Sequence, residues 1–492
     1  MRVQHRSFAG GYRFRNFEGQ PEARQPQSSA VEQDLPAKAT ILIAGDLLVA
    51  EGGIVRAGQA LSRDDASICS PAIATVSGTV EGIGEIKNAN QNLRTVTVLA
   101  NGDSTWDSHP KIDWQSATPE ELEERVYAAG VAALCEGGMP TRFLSSSIGS
   151  EDVEHVIVQA TQSEPYNPSP AMLMRGHPLA HFGQGMGILS RMLPAAQFHV
   201  VVDRSQRRLA DEIGDVADAE MGISLYTVSA KFPQHREEVL VPTILRRPYP
   251  YGFRALNVGV LVLDFAAILH LYEAVVEGRP VVDRIVALCG PGFHKSEHVR
   301  VRIGTPIAEV VAGRLVDQEN TRLVANSAMT GDTIEDWSWP VTQAHTSLLA
   351  VRHPAPPEPL YFARPGARKD SYSNTFLSRL IPLQRKWETN VHGEKRACIG
   401  CAYCDEVCPS RILPHHLHRY VERNIIDENL VRYQIVRCME CNLCTYVCPS
   451  KIPVAELIME GKRRLVEEGF DLLEDTRSGF TLKGIDQEGA AP

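Results

Sequence analysis

The sequence predicts a multidomain α/β and α+β chain, with a small N-terminal all-β module, a Rossmann-like domain, a compact β-rich domain and a C-terminal helical domain. Three observations carry this reading. A chain of 492 residues is too long for one hydrophobic core. Helical stretches alternate with short apolar runs between residues 116 and 300, the pattern of βαβ units around a parallel sheet. Near the C-terminus, CIGCAYCDEVCPS at 398–410 is followed by CMECNLCTYVCPS at 438–450, so that eight of the eleven cysteines fall in two short stretches.

Composition narrows the class. Hydrophobic residues at 43% and charged residues at 22% are ordinary for globular domains with sizeable cores. A net charge of −10 leaves no basic footprint and argues against nucleic acid as a partner. The opening MRVQHRSFAGGYRFRNFEGQ has no apolar core and does not read as a signal peptide. The most apolar segment, ALNVGVLVLDFAAILHLYEAVV at 255–276, carries Asn257, Asp264, His270 and Glu273. It therefore fails the ~18-residue criterion for a membrane span and reads as a buried strand followed by a helix. Work at a membrane would need a partner that spans it. Without an export signal the cysteines belong in a reducing compartment, where clustered thiols point to metal.

The elements follow in order. Residues 38–100 hold short β-type runs, ATILIAGDLLVAEGGIVRAGQAL, SPAIATVSGTVEGIGEI and RTVTVLA, punctuated by Gly, Asp and Asn. SPAIATVSGTVEGI resembles the barrel-sandwich fold of lipoyl and biotinyl carriers. The acceptor lysine of those carriers is absent from the turn expected at Ser77–Gly78, which leaves a structural module. In the α/β region, HVIVQA at 155–160 and FHVVVD at 198–203 read as core strands. Thr118 is placed to cap a helix, with Pro119 in its first position and Glu120 and Glu121 in its first turn. Ligands of such folds sit at the carboxyl ends of the strands.

Two loops there are candidates for a ligand site. CEGGMPTRF at 135–143 holds the Gly137-Gly138 pair, and ATQSEPYNPSP at 160–170 sets Glu164, Pro165 and Tyr166 at a strand exit. An acid, an amide and an aromatic ring at a strand exit suit a nucleotide or flavin. Residues 279–311 read as β-rich, and VRVRIGTPI alternates apolar and cationic residues as a half-exposed strand does. Residues 352–372 are rich in Pro and charge and read as a linker, and the chain beyond about Asp471 reads as a loose tail.

Each cysteine motif reads C-x2-C-x2-C-x3-C-P. Three closely spaced thiolates wrap three corners of a [4Fe-4S] cube, and the fourth, beyond the turn, serves the other cube. One cluster is then held by Cys398, Cys401, Cys404 and Cys448, the other by Cys438, Cys441, Cys444 and Cys408. Pro409 and Pro449 set the backbone after each fourth ligand. Zinc ribbons also use C-x2-C pairs, but a zinc ion takes four ligands and has no use for this spacing twice over. A zinc-bound structural adaptor is the bland alternative. Leu417, Tyr420 and Val421 lie on one helical face between the motifs. With both cubes supplied by cysteine, His415, His416 and His418 are expected to be solvated residues near a helix start. Cys69, Cys135 and Cys289 are expected to be small buried hydrophobes.

This order of parts resembles the C subunit of Rnf-type ion-translocating electron transport complexes, a relative of the A subunit of the sodium-translocating NADH:quinone reductase. It is similar, more distantly, to the flavin subunit of respiratory complex I. The resemblance runs from about residue 8 to about residue 465 and rests on FAGGYRFRNFEGQPEA, AAGVAALCEGGMPTRF, QATQSEPYNPSP, HFGQGMGILSRMLP, KFPQHREEVLVPTIL, DRIVALCGPGFHKSEHVRVRIGTPI, ANSAMTGDTIEDWSWPVTQAHTSLLAV and the cysteine motifs. It implies a barrel-sandwich-like module at 1–115, a Rossmann-like flavin/NADH-type domain at 116–278 and a β-grasp, SLBB-like domain at 279–351. A linker at 352–395, a two-[4Fe-4S] ferredoxin domain at 396–465 and a tail at 466–492 complete the chain.

The same resemblance implies a cytoplasmic subunit, peripheral on the inner face of the cell membrane, that passes electrons to membrane-embedded subunits of its complex. NADH or a reduced ferredoxin or flavodoxin would be the donor. FMN and NADH contacts would fall at Gly137, Gly138, Gln159, Gln162, Glu164 and Tyr166. Two departures bear on that site. Cys135 and Glu136 stand where the family has two further glycines, and Gln159 and Gln162 stand where it has Asn and Glu. Backbone amides approach a phosphate closely only where no side chain intervenes, so Cys135 and Glu136 oppose FMN. Two readings stay open: a catalytic NADH dehydrogenase subunit with FMN as electron entry, and a relay of two clusters whose flavin-type domain is a docking scaffold.

Overall fold

The computed structural model describes residues 3–14, 19–20, 30–43, 45–63, 71–88, 91–133, 139–140, 153–162, 164–174, 179–216, 222–247, 249–353, 395–470 and 472. Cys69, Cys135, Glu136, Gly137 and Gly138 lie outside the described residues, as do most of the expected linker and tail.

The α/β region is built on a five-stranded parallel sheet. Its order is Gln4–Arg6, Ser224–Val228, Gln197–Asp203, His155–Ala160 and Val260–Asp264. His155–Ala160 is buried along its whole length, which is why it reads as an unbroken apolar run. Val156 and Val158 face a core shared with the helices Pro119–Ala128, Leu179–Met192 and Phe265–Tyr272. Ile157 faces the opposite core, against the helix Glu237–Leu245. Thr118 caps the first of these helices as its sequence predicts: its side chain accepts from the Glu121 N–H at 3.3 Å, and the Glu121 carboxylate accepts from the Thr118 N–H at 2.9 Å. The segment 255–276 is a short 3-10 turn, the strand Val260–Asp264 and a buried helix.

From His155–Ala160 the chain steps outwards twice on one side and then returns to the other side at Val260–Asp264. The reversal opens a crevice between these two strands at their carboxyl ends. Gln159 and Asp264 are register partners there.

The β-rich region forms a six-stranded mixed sheet in the order Thr333–Ile334, Thr321–Ala325, Ser347–Arg352, Asp283–Cys289, Glu297–Arg302 and Val31–Glu32. Val299 and Val301 are buried while Arg300 and Arg302 lean outwards, the expected alternation. The N-terminal β module holds a four-stranded antiparallel sheet of Lys38–Leu42, Gln91–Ala100, Gly78–Asn88 and Ile54–Val55. Ser77 and Gly78 do not form the exposed turn that the carrier resemblance suggests. Ser77 is buried and Gly78 begins a strand, so close to its neighbour that a Cβ there would lie 1.8 Å from the Leu99 carbonyl oxygen. Gln4–Arg6 and Val31–Glu32 leave the module to complete the edges of the two other sheets.

Among the described residues no helix is long and apolar enough to cross a membrane. The helix Leu179–Met192 meets Phe265–Tyr272 at Gly185, where an added Cβ would sit 2.3 Å from the Ile268 carbonyl oxygen. Gly185→Ala is expected to destabilise the chain by about 1–3 kcal/mol through overpacking, read as a lower midpoint in chemical denaturation.

Candidate iron–sulfur centres and an adjoining cavity

The two cysteine motifs fold alike. Left-handed backbone recurs at matching places, Gly400 (φ 68°) with Glu440 (φ 58°), Ala402 (φ 56°) with Asn442 (φ 61°), and Arg411 (φ 55°) with Lys451 (φ 56°). These reversals curl each loop around a centre and turn successive amides inwards. The short helices Tyr403–Glu406 and Leu443–Tyr446 follow, then the longer Pro414–Glu422 and Val454–Glu467.

Each Cys-Pro step carries its cysteine across to the other loop. Cys398, Cys401, Cys404 and Cys448 line one small cavity, and Cys408, Cys438, Cys441 and Cys444 line a second. Burial pushes the Cys408 thiol up to about 11 and the Cys441 thiol up to about 12, and the neighbouring thiols add to both shifts. Cys404 and Cys444 are pushed higher still by the same causes. Bare thiols so placed hold their protons, and cationic iron bound there would displace them. Backbone amides oppose the shift: those of Ser410, Arg411 and Ile412 donate to Cys408, that of Glu440 to Cys438 and that of Leu443 to Cys441. Soft thiolates with amide donors suit an iron–sulfur cluster.

The histidines divide. His416 is exposed as expected, but His415 is half-buried and His418 is buried, and both line the first cavity. His418 Nδ1–H donates to the Pro414 carbonyl at 2.8 Å, and the His415 N–H donates to Asp405 at 3.1 Å. The helix Pro414–Glu422 runs beside the first cavity, and its buried side brings them in.

The second cavity faces the rest of the chain. Asn442 donates to the Met329 carbonyl at 3.0 Å, and the Gly11 N–H donates to the Val407 carbonyl at 2.8 Å. Gly10 has φ +74°, and a Cβ there would lie 2.5 Å from the Cys408 oxygen. Tyr446 meets Tyr12 at 5.3 Å and Phe14 at 5.2 Å between ring centres, and Phe14 meets Phe232 at 5.9 Å. Tyr166, Phe232, Cys289, Cys441 and Leu443 share one buried core with them.

A larger cavity of about 350 Å³ lies beyond that core, at the crevice between His155–Ala160 and Val260–Asp264. Its lining includes Gln159, Glu164, Arg236, Asp264 and Arg284. Glu164 is 7% exposed, and its Oε2 has no hydrogen-bond partner. Burial pushes its carboxyl up to about 8, and burial pushes the neighbouring His235 down to about 3. The 3.7 Å approach of His235 Nε2 to Glu164 Oε1 is therefore a contact of two neutral groups at neutral pH. Arg284 is pulled down to about 10 by burial, against the pull of Asp264 and Asp283, and keeps its charge. Its Nε has no partner.

Of the sequence-read ligand residues, Gln159 and Glu164 come together at this cavity. Gln162 instead braces its own loop: its amide donates to the Asn167 carbonyl at 2.8 Å, and its backbone N–H donates to Asp203 at 2.9 Å. Tyr166 turns into the core beside Cys441. Asp264, Arg236 and Arg284 escaped the sequence reading. Asp264 alone carried a signal, a single acid closing the apolar run VGVLVLD. The lining offers the edge of a flat polar ring such as a flavin hydrogen-bonding partners at Gln159 and Glu164 and a cation at Arg284.

Three family models match in chain order: the Nuo51 FMN-binding domain at residues 126–273, the NQRA C-terminal domain at 285–336 and the 4Fe-4S dicluster domain at 397–452. They give the chain three domain types in series: a flavin-binding type, an NQRA C-terminal type and a 4Fe-4S dicluster type. Most of the chain resembles the C subunit of the ion-translocating oxidoreductase complex of Edwardsiella ictaluri, with 25% identity over 412 residues, 81% of this chain and 47% of that one. The corresponding C subunit of Vibrio cholerae is 27% identical over 433 residues, 86% of this chain and 51% of that one. The chain spans about half the length of these curated relatives. An NAD+-reducing [NiFe]-hydrogenase in its H2-reduced state overlaps 74% of this chain and 64% of its own, at a TM-score of 0.42 and 12% identity. That likeness is too loose to add to the assignment.

Glu164 gives a pH signature. Its carboxyl sits at about 8 in the folded chain against 4.5 as its ordinary value, so the folded state holds a proton that the unfolded state has lost. Stability should fall as pH rises between those values, by up to roughly 1.4 kcal/mol per pH unit for this one group. Glu164→Gln should flatten that part of the stability-against-pH curve.

Proposed function

We propose that the chain is a peripheral electron-transfer subunit of a membrane-bound Rnf- or Nqr-like oxidoreductase complex, passing electrons through two [4Fe-4S] clusters to membrane-embedded partner subunits. The crosswise gathering of the eight cysteines around two cavities carries this reading. Cys398, Cys401, Cys404 and Cys448 ligate one cluster, and Cys438, Cys441, Cys444 and Cys408 the other. When bound, each cluster supplies a one-electron store. The chain buries Cys404, Cys441 and Cys444 and directs backbone amides to Cys408, Cys438, Cys441 and Cys448.

A zinc ion takes four ligands, whereas each cavity here gathers three cysteines of one C-x2-C-x2-C run and the fourth cysteine of the other motif, the arrangement that serves two cubes. The exposed loop 395–400 beside Cys398 and Cys401 supports exchange with an outside protein at that cluster. Attachment through partners on the inner membrane face, and NADH or a reduced ferredoxin or flavodoxin as donor, belong to the same reading. So do the finer fold assignments: a barrel-sandwich module, a β-grasp domain at 279–351 and a helical ferredoxin domain at 396–465.

The cavity at the crevice favours a second reading, in which FMN binds there and NADH delivers electrons to it. An anaerobic visible spectrum of the cluster-loaded chain, with FMN present, separates the two. Bleaching of the iron–sulfur absorbance by NADH supports the flavin entry point. Bleaching by dithionite alone supports a relay fed by another protein, and a colourless protein sinks both. Cys401→Ser and Cys441→Ser should each lower bound iron by about half, because each removes one ligand of one four-iron cluster. Unchanged iron in either variant refutes the ligand assignment.

A further inference from the structure

The surroundings of the two cysteine sets differ in charge, and this inference rests on the two-cluster reading above. Lys462, on the helix Val454–Glu467, places its Nζ 2.6 Å from the Cys438 carbonyl oxygen and is only 11% exposed. Its partner Glu440, at 2.8 Å, is 47% exposed, so water screens the acid more than the lysine. The first set has the opposite neighbour: an oxygen of Asp405, whose partner is His415, stands 3.8 Å from Cys404 Sγ.

Reducing a cluster adds one negative charge. Nearby cations and sulfur-directed amides stabilise that charge, whereas burial alone opposes it. The second set is the more deeply buried, with Cys441 and Cys444 in the core. Lys462 acts against that penalty in a medium where charges are weakly screened.

We propose that Lys462 holds the inner cluster, on Cys408, Cys438, Cys441 and Cys444, at a higher reduction potential than the outer cluster on Cys398, Cys401, Cys404 and Cys448. An electron shared by the pair then rests beside the body of the chain. In the exchange the outer cluster loses one electron and the inner cluster gains it, and no bond or proton moves. Lys462 is a positioning residue, acting on potential through charge.

The test is a dithionite titration of the full chain, reconstituted with iron and sulfide and followed by electron paramagnetic resonance. Two one-electron steps are expected, of which Cys441→Ser removes the upper and Cys401→Ser the lower. Lys462→Met should move the upper step to lower potential and leave the lower step in place, while Lys462→Arg restores the original value. Two steps unmoved by Lys462→Met at full iron content, or a shift confined to the lower step, overturn the proposal. Should Lys462→Met lose iron, Lys462→Gln, whose neutral amide can still donate to the Cys438 carbonyl, decides by the same criterion. Wild-type chain holding well short of about eight irons, four for each cluster, overturns the two-cluster reading itself.

Discussion

The exchange of Cys408 and Cys448 between two loops is the constraint on which the C-terminal architecture depends. Each motif supplies three thiols to its own cavity and one to its neighbour's, so neither site can be completed by one motif alone. That requirement accounts for the matched reversals at Gly400 and Glu440 and at Ala402 and Asn442. Three of these four residues carry side chains in a conformation that costs roughly 1–2 kcal/mol each. Such strain persists only where the surroundings over-determine it.

The same unit cannot be understood apart from the N-terminal segment. Phe8, Gly10, Gly11, Tyr12 and Phe14 run between the C-terminal unit and the α/β region. Lys231 donates to the Phe8 carbonyl at 2.7 Å and to the Gly10 carbonyl at 2.9 Å, and the Tyr12 and Phe232 backbones exchange hydrogen bonds at 2.9 Å. Gly10 is bare because the chain passes Cys408 too closely for a side chain. The segment therefore ties a ligand-bearing loop to the α/β region through short, half-buried contacts. The loop holding Glu164, Pro165 and Tyr166 joins them, with Glu164 in the larger cavity and Tyr166 in the core beside Cys441.

What the sequence made legible was local. The cysteine spacing, the Thr118 cap and the unbroken apolar strands depend on neighbours a few residues away, and each could be read without the fold. Gln162 is a ligand candidate through the family resemblance, and in the fold its amide closes the loop that presents Glu164. His418 reads as solvated once cysteines supply both cubes, because spacing does not tell which face of a short helix is covered. Arg236, Arg284 and Lys462 act on groups far away in the chain, and no periodicity marks them. Gln4–Arg6 and Val31–Glu32 read as parts of a β module, yet they end as edge strands of two other sheets. An edge pairing is fixed by tertiary proximity rather than by propensity.

The two cysteine sites also differ in what surrounds them, and this gives the chain a direction. The second site is walled by Asn442 against Met329, by the aromatic rings of Tyr12, Phe14 and Tyr446, and by a core that continues to Tyr166. The first site opens outwards along 395–400, where Ile399 is 66% exposed between two cysteines. Among the described residues the core that holds Tyr166 continues to Cys441, and a second core joins Cys444 to Cys404, so packing is continuous from the wall of the larger cavity to both cysteine sets.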